Sequence, residues 1–138
     1  SVLGLISMKY RGAYNASKYA VEGLTDTMRL ELKGSDIFIS SLNTGPITSK
    51  FRENSIKTIK NIDHGNSIHK KEYDKILTRQ HKKVPFNEEA ISVAKVVENI
   101  LNSKKPKPRY YITKATWIMG ILKRILSTRL LDKVLSGY

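Results

Sequence analysis

A tyrosine and a lysine four positions apart form a pair that could do acid–base chemistry. Tyr14 and Lys18 stand at the start of a segment with helical periodicity, so their side chains project from one face of the predicted helix, within several ångströms of each other. A phenol ordinarily titrates at about pH 10, and a fixed ammonium beside it favours the phenolate. Such a pair can exchange a proton with an alcohol or carbonyl oxygen near neutral pH, as a general acid/base must.

A second tyrosine and lysine, Tyr110 and Lys114, have the same spacing, so the spacing alone does not identify a site. These two follow Pro106 and Pro108 in a stretch that is predicted to be extended. Four residues of extended chain separate the Cα atoms by roughly 13 Å. The second pair therefore cannot interact as the first pair does.

The helix that carries Tyr14 and Lys18 is predicted over 13–33 with Gly34 as its C-cap, because small and apolar residues recur at three- and four-residue steps. Val2–Met8 is predicted to be the end of a buried strand that leads into a loop. Ile37–Leu42 is predicted to be a second buried strand, which ends at residues 44–46. Continuous apolar strands separated by a helix indicate a parallel sheet between layers of helices.

The rest of the sequence continues this alternation. Residues 48–85 are predicted to form two short helices around a mobile loop. Asn87 is predicted to be the N-cap of a helix that runs to Leu101, and residues 109–113 are predicted to form a third strand. Residues 116–136 predict one or two amphipathic helices. Three strands are too few for a complete doubly wound sheet. We therefore expect an α/β chain that forms the C-terminal part of such a sheet, with added C-terminal helices.

The surroundings of the first pair resemble the short-chain dehydrogenase/reductase family. The family's motif of tyrosine, any residue, alanine, serine and lysine corresponds to residues 14–18, and its serine thirteen positions before the tyrosine corresponds to Ser1, with Gly4 after it. Its strand-ending Pro-Gly-Pro-Ile-x-Thr loop corresponds to residues 44–49. Thr44 replaces the usual first proline, which places the rigidity of that loop in question, and Ser49 replaces the usual threonine but keeps a hydroxyl.

This resemblance implies a Rossmann-type fold and an NAD(P)-dependent oxidoreductase that interconverts a carbonyl, here an aldehyde, and an alcohol by hydride transfer. Tyr14 would be the general acid/base, Lys18 would assist it and bind the nicotinamide ribose, and Ser1 would hold the substrate oxygen. The cofactor would be NADP or NAD, and the similarity of residues 103–136 to bacterial aldehyde reductases of the family favours NADP. The residues implied to bind the cofactor are Tyr14, Lys18, Gly45, Pro46, Ile47 and Ser49.

The resemblance also implies that a longer protein has been cut. The chain begins with Ser1 rather than methionine, an apolar stretch follows without a basic leader, and no signal peptide is predicted. We expect 1–113 to be the C-terminal half of a dinucleotide-binding domain, with 48–85 on its substrate side, and 114–138 to form basic amphipathic helices. The family's glycine-rich phosphate loop and catalytic asparagine would precede Ser1, so the isolated chain is expected to be inactive.

The distribution of charge leaves a second interpretation open. Of the net charge of +13, residues 103–138 contribute nine Lys/Arg against one Asp, or +8. Together with apolar residues at helical spacing, this composition also suits a non-catalytic module that binds an anionic membrane surface. No stretch reaches the length of about twenty apolar residues that spanning requires.

The other classes of partner are not indicated. The chain lacks cysteine, and His64, His69 and His81 have no metal-ligand spacing, so no metal site is predicted. No nucleic-acid reader motif is present, and nucleic-acid binding is not expected. We expect a cytoplasmic protein, with peripheral membrane contact as an alternative for its tail, that acts on a small carbonyl or alcohol. By analogy with the family, it would form homo-oligomers through the 13–33 helix.

Overall fold

The computed structural model describes residues 1–78 and 84–137, apart from the side chain of Arg52. Residues 79–83, which include His81 and belong to the predicted 48–85 segment, lie outside the described residues, as does Tyr138. The chain divides into two compact units. One comprises Ser1–Ile47 and Phe86–Tyr138, and the other comprises Thr48–Pro85.

A parallel pair of strands lies at the centre of the first unit. Strand β1, Ser41–Asn43, pairs with β2, Arg109–Tyr111, in the register that sets Ser41 opposite Arg109 and Asn43 opposite Tyr111. Both strands are followed by turns at the same edge, as parallel strands require. The chain is therefore α/β with a parallel sheet, and the predicted fold class is confirmed.

The first of these strands is shorter than the prediction of Ile37–Leu42. Pairing starts only at Ser41, whose N–H donates to the carbonyl of Pro108 at 2.9 Å. Pro106 and Pro108 have no N–H to donate to a neighbouring strand, so the ladder cannot extend backwards from this point. Ile37 and Phe38 accordingly lie outside the sheet and are 59% and 50% exposed.

The predicted strand at Val2–Met8 is wrong, because Val2–Gly4 form a single turn of 3-10 helix. The hydroxyl oxygen of Ser1 accepts a hydrogen bond from the Leu3 N–H at 3.3 Å, and the Gly4 N–H donates to the Ser1 carbonyl at 2.9 Å. This local cap closes the turn. The following loop brings Tyr10 into the left-handed region, at φ 61°.

Helix α1, Gly12–Glu31, carries the tyrosine and the lysine. It ends two residues before the predicted boundary, with Leu32 as its C-cap. Gly34 adopts φ 96° in the turn beyond, where a residue without a Cβ is favoured. Asn15 and Glu22 are the residues that α1 buries, so the side of the helix that faces the protein is partly polar.

Helix α2 spans Phe51–Lys60 and α3 spans Lys70–Thr78, and both belong to the unit Thr48–Pro85. Back in the first unit, α4 spans Ala90–Leu101. The predicted start at Asn87 is too early, because the Glu88 N–H donates to the Pro46 carbonyl and Glu88 forms a parallel bridge with Ile47. The backbone at Glu88 is thereby extended, and Glu89 becomes the N-cap.

Two helices follow β2, α5 over Lys114–Ile125 and α6 over Thr128–Ser136. Thr113 caps α5 by accepting a hydrogen bond from the Thr116 N–H at 3.3 Å. Among the described residues, the buried apolar cluster consists of Leu3, Ile6 and Leu131. The last helix thus closes a small core around the turn at Val2–Gly4. No helix in the described part of the chain has the length and apolar character needed to cross a bilayer.

The turn after β1 packs tightly against the start of α5. A Cβ added at Gly45 would lie 2.2 Å from the hydroxyl oxygen of Thr113 and 3.2 Å from that of Thr116. Both threonines are fully buried, and their hydroxyl oxygens are 3.1 Å apart. Since the threonines cannot move out into solvent, this position requires glycine for lack of space.

Replacement of Gly45 by alanine should therefore destabilise the protein. We expect Gly45→Ala to cost about 1–3 kcal/mol, as overpacking of a filled interior does, and to lower the melting temperature by several degrees. Gly23→Ala is the matched control, because a Cβ there meets nothing within 4 Å and alanine is the better residue in a helix. Differential scanning calorimetry of the full-length variants should show opposite shifts, and equal melting temperatures for the two would contradict this packing.

Candidate functional site

The candidate site lies at the carboxyl edge of the parallel strands. The Val2 N–H donates to the Thr44 carbonyl at 2.8 Å, and the Ser1 nitrogen lies 3.4 Å from both the Leu42 carbonyl oxygen and Oδ1 of Asn43. These contacts hold Ser1 beside the end of β1. In α/β sheets, ligands bind outside the carboxyl ends of the strands, and Ser1 lies at that edge.

Tyr14 and Lys18 lie on one face of the first turns of α1. The Nζ atom of Lys18 is 5.3 Å from the centroid of the Tyr14 ring, within the range over which an ammonium and an aromatic ring attract each other. Both side chains are half-buried. The ring of Tyr14 packs on the cluster of Leu3, Ile6 and Leu131. The structure therefore brings the phenol and the ammonium together and sets them against the turn that Ser1 caps.

The alternative pair, Tyr110 and Lys114, has a different geometry. Tyr110 lies within β2, and Lys114 is the first residue of α5. The Tyr110 hydroxyl accepts a hydrogen bond from the Lys107 N–H at 2.8 Å. This tyrosine is part of the connection into β2, which agrees with the expectation that its spacing to Lys114 has no catalytic meaning.

The loop implied to bind cofactor is divided between the two units. Gly45, Pro46 and Ile47 follow β1 directly, and the contacts of Pro46 and Ile47 with Glu88 fix this turn. Ser49 belongs to the unit Thr48–Pro85, where its hydroxyl oxygen accepts from the Phe51 N–H at 3.4 Å. The structure thus places Gly45, Pro46 and Ile47 at the sheet edge with Ser1.

Buried polar residues surround the site in a pattern that the sequence analysis missed. Asn43 is fully buried, and Ser41 and Glu22 are each 8% exposed. A carboxylate of Glu22 accepts from the Ser41 hydroxyl at 3.2 Å and from Nε of Arg109 at 3.0 Å. The sequence pattern assigned Glu22 no role. No local pattern could connect it to Arg109, because the two are 87 positions apart.

Arg109 also binds a second carboxylate on α1. Its Nη2 donates to Asp26, which accepts from Arg29 at 2.9 Å as well. The hydrogen bonds from Arg29 and Arg109 hold the pKa of Asp26 below its usual range, and those from Asp26 and Glu22 raise the pKa of Arg109. Arg109 therefore stays charged and joins β2 to two successive turns of α1.

No group of three or more histidine or acidic side chains within residues 1–78 and 84–137 is arranged to hold a metal ion. The chemical groups that the site does offer are two hydroxyls and an ammonium, from Ser1, Tyr14 and Lys18. These groups suit proton transfer and the binding of neutral or negatively charged oxygen atoms.

Comparison with known proteins supports this description. Residues 1–60 match the family model described as short chain dehydrogenase. Over 137 residues, 99% of this chain and 46% of the relative, the sequence is 37% identical to "Uncharacterized oxidoreductase YbbO" of Escherichia coli strain K12. It is 28% identical over 143 residues, 97% of this chain and 48% of the relative, to "Probable short-chain type dehydrogenase/reductase VdlC" of Helicobacter pylori strain J99.

A human protein is also similar. The chain is 30% identical to "17-beta-hydroxysteroid dehydrogenase type 1" of Homo sapiens over 117 residues, which are 82% of this chain and 35% of the relative. The parallel strand pair, with the tyrosine–lysine helix packed beside it, is a partial Rossmann-type α/β fold. The chain belongs to the short-chain dehydrogenase/reductase family. It spans about half the length of the two bacterial relatives.

Proposed function

We propose that the protein containing this chain is an NAD(P)-dependent oxidoreductase that interconverts an aldehyde and an alcohol. The observation that carries the proposal is the Tyr14–Lys18 pair, half-buried on one face of α1 and packed on the turn that Ser1 caps. Because the chain belongs to a family of oxidoreductases, we interpret this pair as catalytic. The names of the relatives above, which include a hydroxysteroid dehydrogenase, agree with chemistry between an alcohol and a carbonyl.

In the proposed mechanism, the side chains of Tyr14, Lys18 and Ser1 have different roles. The hydroxyl of Tyr14 gives a proton to the substrate oxygen during reduction and takes it back during oxidation. The ammonium of Lys18 attracts the negative charge that develops on the phenolic oxygen. The Ser1 hydroxyl oxygen accepts a hydrogen bond from the Leu3 N–H, and its O–H would donate to the substrate oxygen.

The residues at the sheet edge fit a nicotinamide cofactor. Gly45, Pro46 and Ile47 form the turn that directly follows β1, and Lys18 and Tyr14 offer donors to a ribose. These residues, with Ser49, would hold the nicotinamide end of the molecule. When bound, the cofactor supplies or accepts the hydride. We propose NADP rather than NAD, on the similarity of the C-terminal segment to aldehyde reductases.

The proposed organisation of the protein follows from these roles. Residues 1–113 would be the C-terminal half of the dinucleotide-binding domain, with 48–85 on its substrate side, and 114–138 its added helices. The phosphate-binding loop would be contributed by residues that precede this chain. We propose a cytoplasmic homo-oligomer without nucleic-acid partners. Subunits would meet through α1, on which Val21, Leu24 and Met28 are 53%, 62% and 39% exposed.

A second candidate concerns the basic tail, which we infer could rest on an anionic membrane surface. On α5, Trp117, Ile121 and Ile125 recur every four residues and are 55%, 48% and 74% exposed. The same segment, 103–138, carries a net charge of +8. An exposed apolar stripe on a basic helix favours contact with anionic lipid.

Loss of the Tyr14 hydroxyl should abolish catalysis. We expect Tyr14→Phe in the full-length protein to reduce kcat for NADPH-dependent aldehyde reduction by at least about 100-fold, since a general acid/base contributes that much or more. Tyr110→Phe is the matched control, because it removes the phenol of the alternative pair and should keep kcat within a few-fold. Steady-state kinetics with an aliphatic aldehyde measure both. Activity of Tyr14→Phe close to wild type would reject the proposed function.

Cofactor binding should require more than these 138 residues. We expect no binding of micromolar affinity when the isolated chain is titrated with NADPH or NADH in a calorimeter, because the phosphate-binding loop provides much of the grip on a dinucleotide. The full-length protein should bind both, and NADPH more tightly. Micromolar binding by the isolated chain would contradict the proposed organisation, and tighter binding of NADH would overturn the choice of NADP.

Membrane contact should depend on the α5 stripe and on lipid charge. We expect the full-length protein to sediment with vesicles of phosphatidylcholine and phosphatidylglycerol at low salt, and to be released at high salt. Replacement of Ile121 and Ile125 by serine should reduce the bound fraction several-fold. Ile91→Ser is the control, because Ile91 is 61% exposed on α4, away from the basic segment. Equal binding to neutral vesicles, or none to anionic ones, would eliminate this candidate.

A further inference from the structure

A series of hydrogen bonds runs through the buried side of the candidate site. Nε of Arg109 donates to Glu22, and the Ser41 hydroxyl donates to the same carboxylate oxygen. Nδ2 of Asn43 donates to the Ser41 hydroxyl at 3.2 Å, and the N–H of Val2, next to Ser1, donates to the carbonyl of Thr44, next to Asn43, at 2.8 Å. Each of these four contacts joins a different pair of residues. Together they connect α1, both strands and the turn that Ser1 caps.

Burial makes this series of hydrogen bonds rigid. The Glu22 side chain is 11% exposed and that of Arg109 is 28% exposed, so neither charge is well hydrated. A carboxylate in such a place is costly unless every partner stays in position. Ser41 and Asn43 are more deeply buried than Arg109, and their hydrogen bonds leave little freedom for the strand to slide along the helix.

Glu22 stands one turn beyond Lys18 and two turns beyond Tyr14 on α1. The close contact between Gly4 and the helix lies at the same level, since a Cβ at Gly4 would meet both the Glu22 side chain and the Lys18 carbonyl at 3.0 Å. Any displacement of Glu22 relative to Ser41 would therefore move the tyrosine and the lysine relative to Ser1. The carboxylate fixes the distance between the two halves of the proposed catalytic machinery.

We propose that Glu22, through Ser41, is a positioning residue that holds the Tyr14–Lys18 turn in register with Ser1. This inference rests on the proposed function. Asp26 provides an internal comparison, because it also binds Arg109, and within the described residues its side-chain hydrogen bonds go to Arg109 and Arg29 rather than to strand β1. If the ion pairs had a purely structural role, substitutions of Glu22 and of Asp26 would affect kcat equally. If Glu22 is a positioning residue, its substitution lowers kcat and that of Asp26 does not.

The experiment compares four full-length variants by steady-state kinetics and thermal melting. We expect Glu22→Gln to lower kcat for aldehyde reduction by about 10- to 100-fold, with KM for the cofactor changed less than about twofold, since small misplacements of reacting groups have effects of this size. Asp26→Asn should lower the melting temperature by about as much as Glu22→Gln does, but it should keep kcat within about twofold. Ser41→Ala, which leaves the Glu22–Arg109 pair in place, should reproduce the loss of kcat.

Two results would overturn the inference. One is equal kcat for Glu22→Gln and Asp26→Asn at equal loss of stability. The other is wild-type kcat for Ser41→Ala, which also serves as the deciding variant if Glu22→Gln does not fold. Tyr14→Phe is the fourth variant and separates this inference from the proposed function. If Tyr14→Phe is inactive while Ser41→Ala is fully active, the enzyme assignment stands and the positioning role fails.

Discussion

The parallel pairing of Ser41–Asn43 with Arg109–Tyr111 is the constraint on which the rest of the structure depends. It brings the ends of both strands to one edge, so that the turn at Gly45 meets Thr113 and Thr116 at the start of α5. The same edge receives the turn at Val2–Gly4 through the contact of Val2 with Thr44. Three connections that are far apart in the sequence therefore converge on one short piece of sheet.

The interior beneath this edge is unusual because it is largely polar. Within the described residues, the fully buried side chains are those of Asn43, Thr113 and Thr116, while the apolar Leu3, Ile6 and Leu131 retain 4%, 3% and 5% exposure. Apolar burial stabilises a fold without specifying direction, whereas buried hydrogen bonds require particular partners at particular angles. A polar interior therefore gives a defined arrangement of helix and strands but contributes less to stability than an apolar one. This combination is reasonable at a site where a phenol, an ammonium and a hydroxyl must be placed relative to one another.

The sequence was informative where structure is determined locally. Helical periodicity and the motif around Tyr14 predicted α1 and the common face of Tyr14 and Lys18, and apolar runs with turn residues predicted parallel strands. The predictions were wrong where a contact with another residue, rather than the local apolar pattern, determines the backbone conformation. Val2–Gly4 became a helical turn because Ser1 caps it, and β1 starts at Ser41 because the partner strand is preceded by prolines.

The buried contacts of Glu22 could not be predicted for the same reason. Its partner Arg109 lies in a different strand, 87 positions away, and neither residue alone shows a pattern. The roles of Ser1, Tyr14 and Lys18 in chemistry, and those of Gly45, Pro46, Ile47 and Ser49 in cofactor binding, remain predictions that activity and binding measurements decide.

The cluster of Leu3, Ile6 and Leu131 joins the turn after Ser1 to α6, and Nζ of Lys9 donates to the carbonyl of Ser136 at 2.8 Å. The support of the proposed substrate-binding serine is thus made by residues about 130 positions later. During biosynthesis, α1 can form as it leaves the ribosome, but this turn and the ring of Tyr14 gain the contact with Leu131 only after α6 has emerged. A chain that ends before Leu131 would therefore lack part of the apolar packing beneath both the tyrosine and the serine.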